Sequence, residues 1–219
     1  MGTDAPYALL WSGGKDSALA LARARKRGLD VRLLLNFFDP ATGRVRFHAT
    51  RVELIEAQAR AALTELRAVG AAWDDFDAVL RRELAALAQG GYAGVVLGDI
   101  HLADVRAWYE ERVTAAGLEH VEPIWAEDPA ALVTEFAATG GRAVITCVEE
   151  AKLDGAWLGR VIDESFPAAI AETGIDACGE RGEYHTFAFA GPAFAEPLAW
   201  RAGEVHRENG FAQLDLLPA

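Results

Sequence analysis

Short apolar runs alternate with longer amphipathic segments through residues 1–126, and this alternation narrows the folds that the chain can adopt. Residues 31–38 form a nearly continuous apolar run, which is typical of a strand buried on both faces. Residues 7–11 and 95–97 form similar runs, and stretches of helical length lie between them. Repeated strand–helix alternation predicts an α/β fold with a parallel sheet and helices on both faces. Ligands of such sheets bind at the carboxyl ends of the strands.

The apolar residues of segment 51–69 recur at spacings of three and four, so we expect one helix over that segment. A weaker apolar run predicts a strand over residues 71–76. The other elements predicted for this half are a helix that ends near Arg27, helices over residues 77–88 and 102–116, and a strand over residues 119–125.

The pattern changes near residue 127, so we expect an N-terminal domain over residues 1–127 and a smaller, mixed α/β region over residues 128–219. Asp128 followed by proline is typical of a helix start, and the glycine pair at 140–141 ends that helix. Asn209 followed by glycine predicts a β-hairpin. The elements predicted between these points are strands over residues 142–148 and 184–189 and a short helix over residues 166–172.

Charge and cysteine content disfavour several classes of protein. The chain carries 33 acidic and 21 basic residues, a net charge of −12, which disfavours a large nucleic-acid interface. Two cysteines are too few for a disulfide framework, and the five histidines lack metal-ligand spacing, so we predict no structural zinc and no metal ligands. We find no signal peptide and no apolar run of membrane-spanning length, which predicts a soluble, cytoplasmic protein with no membrane partner.

Residues 12–17, with the sequence SGGKDS and called the glycine loop below, lie between the first predicted strand and helix. Free backbone N–H groups and the helix dipole favour an anion there. The glycines let the backbone approach a phosphate, while Ser12 and Ser17 add hydroxyl donors and Lys15 adds positive charge. The spacing is not that of a Walker A loop or a dinucleotide-binding fingerprint. The residues alone leave a phosphate site and a helix-capping turn equally open.

Residues 178–187, with the sequence CGERGEYHTF and called the C-terminal motif below, form the second dense polar cluster. Glutamates can hold an amine or cation, and a histidine can transfer protons near neutral pH. The residues alone nevertheless favour a solvated turn that leads into a strand, because charged clusters usually have that role. Cys178, the first residue of the motif, is a candidate for exposure to solvent, whereas Cys147 lies in an apolar strand and is predicted to be a core thiol.

SGGKDS after a first apolar strand resembles the PP-loop of the N-type ATP pyrophosphatases. This resemblance implies a Rossmann-like, adenine nucleotide alpha hydrolase-like sheet that binds ATP and cleaves it between the α and β phosphates. It also implies that Mg²⁺ offsets the charge of the triphosphate beside Asp16. The residues implied for ATP binding in this loop are Ser12, Gly13, Gly14, Lys15, Asp16 and Ser17.

Taken together, the glycine loop and the C-terminal motif resemble the diphthine–ammonia ligase family, also called the diphthamide synthase family. Segments 46–63, 94–113, 122–129 and 157–163 resemble the family in the same order, so the resemblance covers nearly the whole chain. It implies an ATP-dependent C–N ligase that adenylates the carboxylate of diphthine on elongation factor 2 and releases pyrophosphate. Ammonia then displaces AMP and forms the amide.

The same resemblance implies a site between the parallel-sheet domain and the C-terminal region. His48, Gly98 and Asp99 are then expected near the nucleotide, at the strand ends. The implied catalytic residues are Lys15, Asp16, Glu180, Glu183 and His185. The implied substrate-binding residues are Glu180, Glu183, Tyr184, His185 and Thr186.

One tripeptide departs from the family pattern, since Tyr-His-Thr at residues 184–186 stands where archaeal-type members are expected to have Phe-Glu-Thr. The alanine- and arginine-rich composition is typical of high-GC bacteria, which lack diphthamide, so a different small-molecule carboxylate is an alternative substrate. A non-catalytic adenine-nucleotide-binding protein is a further alternative. A tRNA-modifying PP-loop enzyme is disfavoured, because the chain lacks a basic surface and paired catalytic cysteines. A homodimer is compatible with these features.

Overall fold

The computed structural model describes residues 5–46 and 48–219. Phe47 and residues 1–4 lie outside the described residues, and residues 1–4 are the start of the N-terminal segment in which we predict no signal peptide. One sheet contains the strands of the first half, which are β1 (Tyr7–Leu10), β2 (Val31–Asp39), β3 (Arg44–Val45), β4 (Glu65–Gly70), β5 (Gly94–Val96) and β6 (Glu119–Val121). The helices of this half are α1 (Lys15–Lys26), α2 (Val52–Ala61), α3 (Phe76–Gln89) and α4 (Ala103–Ala115).

The predicted α/β class is confirmed, with strand order β3–β2–β1–β5–β6 and β4 beside β2. Five of the strands pair in parallel, as the repeated strand–helix alternation predicts. The sheet departs from parallel pairing at one edge, where β3 is antiparallel to β2. A tight turn, in which the Gly43 N–H donates to the Asp39 carbonyl at 2.8 Å, joins these two strands. Only antiparallel strands can be joined so closely.

Helices cover both faces of the sheet, as predicted. Side chains alternate along each strand, so Leu9 of β1 and Leu34 of β2 pack with α1 and α2 on one face. Ala8 and Leu33, one position earlier in each strand, pack with α3 and α4 on the other face.

The single helix predicted over residues 51–69 is wrong, because α2 ends at Ala61 and β4 follows. Leu63 continues the helical spacing of apolar residues, yet it has a φ of +53° and is 81% exposed. β4 instead forms a six-residue parallel ladder with β2. Pairing with a distant strand therefore outweighs the local periodicity.

The strand predicted over residues 71–76 is also wrong. β4 already occupies the position beside β2, and the chain then passes through a turn into α3. The strand predicted over residues 119–125 is shorter than expected, since β6 ends at Val121. The remaining predicted elements of this half occur within a few residues of their expected bounds.

A five-stranded antiparallel sheet forms the second half, with order β10–β11–β7–β8 and β9 beside β7. Its strands are β7 (Arg142–Glu149), β8 (Val161–Ile162), β9 (Tyr184–Ala190), β10 (Trp200–Glu208) and β11 (Phe211–Pro218). The helices are α5 (Pro129–Ala138) and α6 (Phe166–Ala171). Asp128 caps α5 by accepting the Ala131 N–H at 3.0 Å, and Asn209 and Gly210 form the predicted hairpin turn with positive φ.

One hydrophobic core extends across both sheets. Leu9 of β1 and Leu21 of α1 belong to the same buried cluster as Ile145 of β7 and Ala188 of β9. The two sheets are therefore packed together through a shared buried cluster. Among the described residues, no helix is both long enough and apolar enough to cross a membrane.

Candidate functional site

The glycine loop leaves the sheet at the end of β1 and turns directly into α1. Gly13 has a φ of +83°, a conformation that favours glycine. The first hydrogen bond of the helix runs from the Ala18 N–H to the Gly14 carbonyl at 3.1 Å. The amides of Asp16 and Ser17 precede that bond, so they lie at the positive end of the helix dipole. This end of α1 has the geometry of an anion site.

Two serine hydroxyls lie beside the same helix end. Ser12 Oγ accepts the Gly14 N–H at 3.2 Å and lies 3.3 Å from Ser17 Oγ. Ser17 Oγ in turn donates to the Gly14 carbonyl at 2.9 Å. The hydroxyls and the first-turn amides are thus grouped within one turn of backbone.

Segments from elsewhere in the chain pack closely against the glycine loop. A Cβ atom at Gly14 would lie 2.7 Å from His48 Cε1, and one at Gly98 would lie 3.1 Å from the Ser17 nitrogen. A side chain at Gly14 would therefore clash with His48, because real Cβ atoms essentially never come within 3.0 Å of another heavy atom. A side chain at Gly98 would fit only if its neighbours shifted slightly. His48 and Gly98, which the sequence singles out, therefore border the glycine loop directly.

Gln58 is an organising residue that the sequence pattern does not single out. Its side chain is fully buried, and its Oε1 accepts the Trp11 indole N–H at 2.8 Å. Its Nε2 donates to the carbonyls of Gly13 at 2.9 Å and Ala188 at 2.7 Å, which ties the glycine loop to β9. A signal is present in the sequence, because Gln58 lies one turn after Leu54 on the buried stripe of α2.

The C-terminal motif meets the glycine loop in space. Thr186 Oγ1 accepts the Lys15 N–H at 3.0 Å, although 171 residues separate the two. The Ala188 N–H donates to the Gly13 carbonyl at 2.8 Å, and His48 Nδ1 donates to the Thr186 carbonyl at 2.9 Å. β9 therefore forms one wall of the site.

Lys15 turns inward, away from the end of α1. Its side chain is 3% exposed, and its Nζ donates to Asp16 at 2.8 Å and to the Cys178 carbonyl. Burial lowers the pKa of Lys15, but Asp16 and the ring of Tyr184, 5.0 Å from Nζ, help to raise it above its usual range. Lys15 is thus a buried cation that fastens the C-terminal motif to α1.

The C-terminal motif is buried rather than solvated. Cys178 is 2% exposed, so the expectation that it is open to solvent is wrong. Tyr184 Oη donates to the Ala177 carbonyl at 2.6 Å, and Glu183, which is 5% exposed, accepts the Arg181 N–H at 3.0 Å. Cys147 is buried in β7, as predicted. The side chains of Glu183 and Tyr184 shape the turn itself.

Glu180 joins the motif to the loop that follows β5. Its Oε1 accepts the N–H of Ile100 at 2.8 Å and that of His101 at 3.4 Å. His101 Nε2 lies 2.5 Å from Asp176 Oδ2, which adds a second tie between the same segments. Burial raises the pKa of Glu180, and Asp16 raises it further.

Two imidazoles lie side by side between the loop and β9. The ring centroids of His48 and His185 are 4.9 Å apart. Burial lowers the pKa of His48, and burial together with the charges of His48 and Lys15 lowers the pKa of His185 well below its usual range. Both rings are therefore neutral at pH 7. Since His48 Nδ1 donates to a carbonyl, its Nε2 is a hydrogen-bond acceptor.

Carboxylates gather on the side of β5 and β6. Burial, followed by Glu180 and Asp16, raises the pKa of Asp99 to about 7. Glu122, which follows β6 and was not expected at the site, also has its pKa raised to about 7 by burial and by Asp99. The Asp16 side chain is 30% exposed beside the loop. Within residues 5–46 and 48–219, no three or more His, Cys, Asp or Glu side chains form a group that could hold a metal ion.

Comparisons with known proteins find two family models that match successive parts of the chain. A family model described as the diphthamide synthase N-terminal domain matches residues 6–120, and one described as the diphthamide synthase C-terminal domain matches residues 128–215. A curated Danio rerio protein named diphthine–ammonia ligase is 31% identical over 131 residues, which cover 57% of this chain and 51% of that protein. The chain thus spans about half the length of the curated relative that it matches.

Proposed function

This chain is a member of the diphthamide synthase family, and we propose that it is an ATP-dependent ligase that joins ammonia to a carboxylate. In the proposed reaction, an oxygen of the carboxylate attacks the α-phosphorus of ATP and pyrophosphate leaves. Ammonia then attacks the acyl carbon, AMP leaves, and the amide forms. The name of the Danio rerio relative suggests diphthine as the acid.

One observation carries the proposal: the two polar motifs of the chain converge on the first turn of α1. The Lys15 amide donates to Thr186 and the Gly13 carbonyl accepts from Ala188, so a nucleotide at the glycine loop would border the C-terminal motif. A ligase needs this arrangement, because the acid must reach the α-phosphate in a fixed orientation.

The chain's own groups suit the pyrophosphate end of ATP. The amides of Asp16 and Ser17 and the hydroxyl of Ser12 would donate to phosphate oxygens, and the absence of a side chain at Gly13 and Gly14 lets the phosphates approach. Mg²⁺ fits this site as an ion held mainly by phosphate oxygens, with Asp16 as the protein carboxylate beside it. When bound, it would offset the charge of the triphosphate.

The imidazole pair suits the ammonia side of the reaction. His48 and His185 are neutral at pH 7, so they add no charge, and the free acceptor of His48, Nε2, can accept a hydrogen bond from an N–H of ammonia. The pKa values of Asp99 and Glu122, both about 7, suit acceptance of the protons that ammonium loses when it becomes the amide nitrogen.

The test is an ATP–pyrophosphate exchange assay with diphthine-bearing elongation factor 2 and with a panel of small carboxylic acids. Acid-dependent exchange is expected, and the Ser12→Ala/Ser17→Ala double variant should lower it at least about tenfold. The lost Ser12 hydrogen bond to a charged phosphate is worth roughly 1.5–3 kcal/mol, and Ser17→Ala also removes the hydrogen bond to the Gly14 carbonyl within the loop. Ser165→Ala is the control, because that hydroxyl bonds Asp163 in an exposed turn. ATP binding without exchange for any acid contradicts the ligase activity, and exchange unchanged in the double variant contradicts the assigned site.

A further inference from the structure

β4 forms an open edge of the first sheet. Among the described residues this strand pairs with β2 alone, along a six-residue ladder without a register shift. The Ala71 N–H, directly after β4, donates to the Phe38 carbonyl of β2 at 2.9 Å. Because alternate residues of a strand direct their backbone groups to opposite sides, Leu66 and Ala68 direct their N–H and C=O groups away from β2. The edge therefore offers donors and acceptors to a further strand.

Other edge strands of the molecule are protected against such pairing. β3 has two residues and β6 has three, and β10 has an irregularity in its register between Ala202 and Val205. Short strands and bulges prevent sheet edges from pairing with other chains. β4 has neither feature and contains no proline, so it is suited to pairing with a strand of another chain.

A groove of about 360 Å³ lies beside β4, on the face of the sheet that α2 covers. The described residues that line it are Glu56, Ala59, Arg60, Thr64, Leu66 and Ala68. Leu66 is partly buried against the core, and Leu63, in the turn between α2 and β4, is 81% exposed. The groove therefore leaves room beside Leu66 for an apolar side chain from an added strand.

The charges of β4 decide which strand fits. Two copies of β4 related by a twofold axis pair as antiparallel strands, and the residue on the axis sets their register. With Leu66 on the axis, Glu65 of each copy lies opposite Arg67 of the other, which makes two pairs of opposite charge. With Arg67 on the axis two arginines oppose each other, and with Ala68 on the axis Arg67 opposes Val69. The charges thus favour a second copy of this chain, paired about Leu66.

Both charged side chains are accessible at the edge. Glu65 is exposed, and the Arg67 side chain is 37% exposed. Arg67 Nη1 lies 3.5 Å from Glu83 Oε2 of α3, which is long for a charge-assisted hydrogen bond. Arg67 can therefore also pair with a carboxylate of a neighbouring chain.

We propose that β4 is a self-association edge, through which two copies of the chain join their first sheets into one continuous sheet. The backbone groups of Leu66 in one copy bond those of Leu66 in the other. The two leucine side chains meet at the groove on the α2 face, and the Glu65–Arg67 pairs form on the opposite face, where Arg67 already contacts Glu83. This dimer is independent of the reaction that the chain catalyses.

Charge exchange tests the pairing on the full chain, with the dissociation constant of the dimer measured by analytical ultracentrifugation. Glu65→Arg sets two arginines against each other twice, and Arg67→Glu does the same with two glutamates, so each variant should raise the dissociation constant at least about tenfold. A mixture of the two variants should dimerise, because every opposed pair in the mixed dimer again has opposite charges.

Glu204→Arg is the matched control, because Glu204 is an exposed glutamate of another edge strand, β10. Its dissociation constant should equal that of the wild type. A wild type that stays monomeric at every concentration overturns the proposal. Equal losses in Glu65→Arg and Glu204→Arg, or a mixture of Glu65→Arg and Arg67→Glu that stays monomeric, also overturn it.

An engineered disulfide tests the register. Directly opposed residues in a hydrogen-bonded antiparallel pair have Cα atoms about 5.5 Å apart, which a disulfide can span, so Leu66→Cys should crosslink two chains on mild oxidation. Ala68→Cys is the control, because the two copies of that residue would lie roughly 13 Å apart along the strands. The native thiols of Cys147 and Cys178 are buried and add little background. Crosslinking in Ala68→Cys but not in Leu66→Cys overturns the assigned register, and none in either variant overturns the edge.

Discussion

The glycine loop and the C-terminal motif both combine glycines with charged side chains, but the fold uses them in different ways. The glycine loop presents backbone amides and two hydroxyls, while its lysine is buried beneath the other motif. The C-terminal motif directs the carboxylates of Glu180 and Glu183 to backbone N–H groups, while the Thr186 hydroxyl contacts the glycine loop and the His185 ring lies beside His48. A charged residue in a functional motif is therefore not necessarily a ligand, because some of these residues hold the two motifs together.

The largest effect is expected from the buried lysine. Lys15→Met should lower the free energy of unfolding by about 4 kcal/mol, because breaking a buried ion pair costs roughly 3–5 kcal/mol. Lys152→Met is the matched control, since Lys152 also pairs with a carboxylate and donates to a carbonyl of the C-terminal motif but is 40% exposed. Lys152→Met should lower the free energy of unfolding by less than about 1 kcal/mol. Urea denaturation measures both, and equal losses would show that burial does not distinguish the two lysines.

The second largest effect on stability is expected from a glycine of the glycine loop, compared with a glycine of the C-terminal motif. Gly13 and Gly182 both have positive φ, but a Cβ at Gly13 would lie 2.6 Å from Ile55 Cδ1, whereas one at Gly182 meets nothing within 4 Å. Gly13→Ala should cost about 3 kcal/mol, roughly 1 for the backbone and 2 for displaced side chains, and Gly182→Ala about 1 kcal/mol. Thermal unfolding compares the two variants. A loss in Gly182→Ala as large as that in Gly13→Ala would contradict the close packing around the loop.

A pH effect distinguishes the carboxylates at the site from ordinary ones. The pKa of Asp99 is raised to about 7, so the folded state binds its proton more tightly than the unfolded state does. The contribution of Asp99 to the free energy of unfolding should therefore fall as pH rises from about 4 to 7, and Asp99→Asn should remove that contribution while leaving those of Glu122 and Glu180. The difference is on the order of 2 kcal/mol, because each pKa unit is worth about 1.4 kcal/mol and residual solvent access reduces the full value. Urea midpoints at pH 5 and pH 8 measure it, and parallel pH profiles would contradict the raised pKa.

The smallest effect concerns the single hydrogen bond between the motifs. Thr186→Val removes the acceptor of the Lys15 N–H while keeping the shape of the side chain, and it should cost about 1 kcal/mol. Hydrogen exchange of the Lys15 amide should become about fivefold faster in Thr186→Val and stay slow in Thr186→Ser, which keeps the hydroxyl. Equal exchange in the two variants would mean that this contact does not link the motifs.

Local patterns predicted the elements that depend on nearby residues. The apolar runs of β1, β2 and β5, the capped start of α5 at Asp128 and the hairpin turn at Asn209 all occur where the sequence indicates them. β4 was missed, because the spacing of Leu63 and Leu66 fits a helix and only pairing with β2 reveals a strand. Gln58 was missed because its partners, the Gly13 and Ala188 carbonyls, are distant in sequence.

By itself, the sequence determined the α/β class, the position of the glycine loop after β1 and the two motifs most relevant to function, because apolar periodicity, glycine and helix-capping residues act over a few residues. Only the tertiary structure decided how those motifs are used. It buried Lys15 against the Cys178 carbonyl, turned Glu180 toward the loop after β5 and placed the His185 ring beside that of His48. Burial, hydrogen-bond partners and pKa shifts arise from contacts between distant segments, so they appear only when the two sheets pack together.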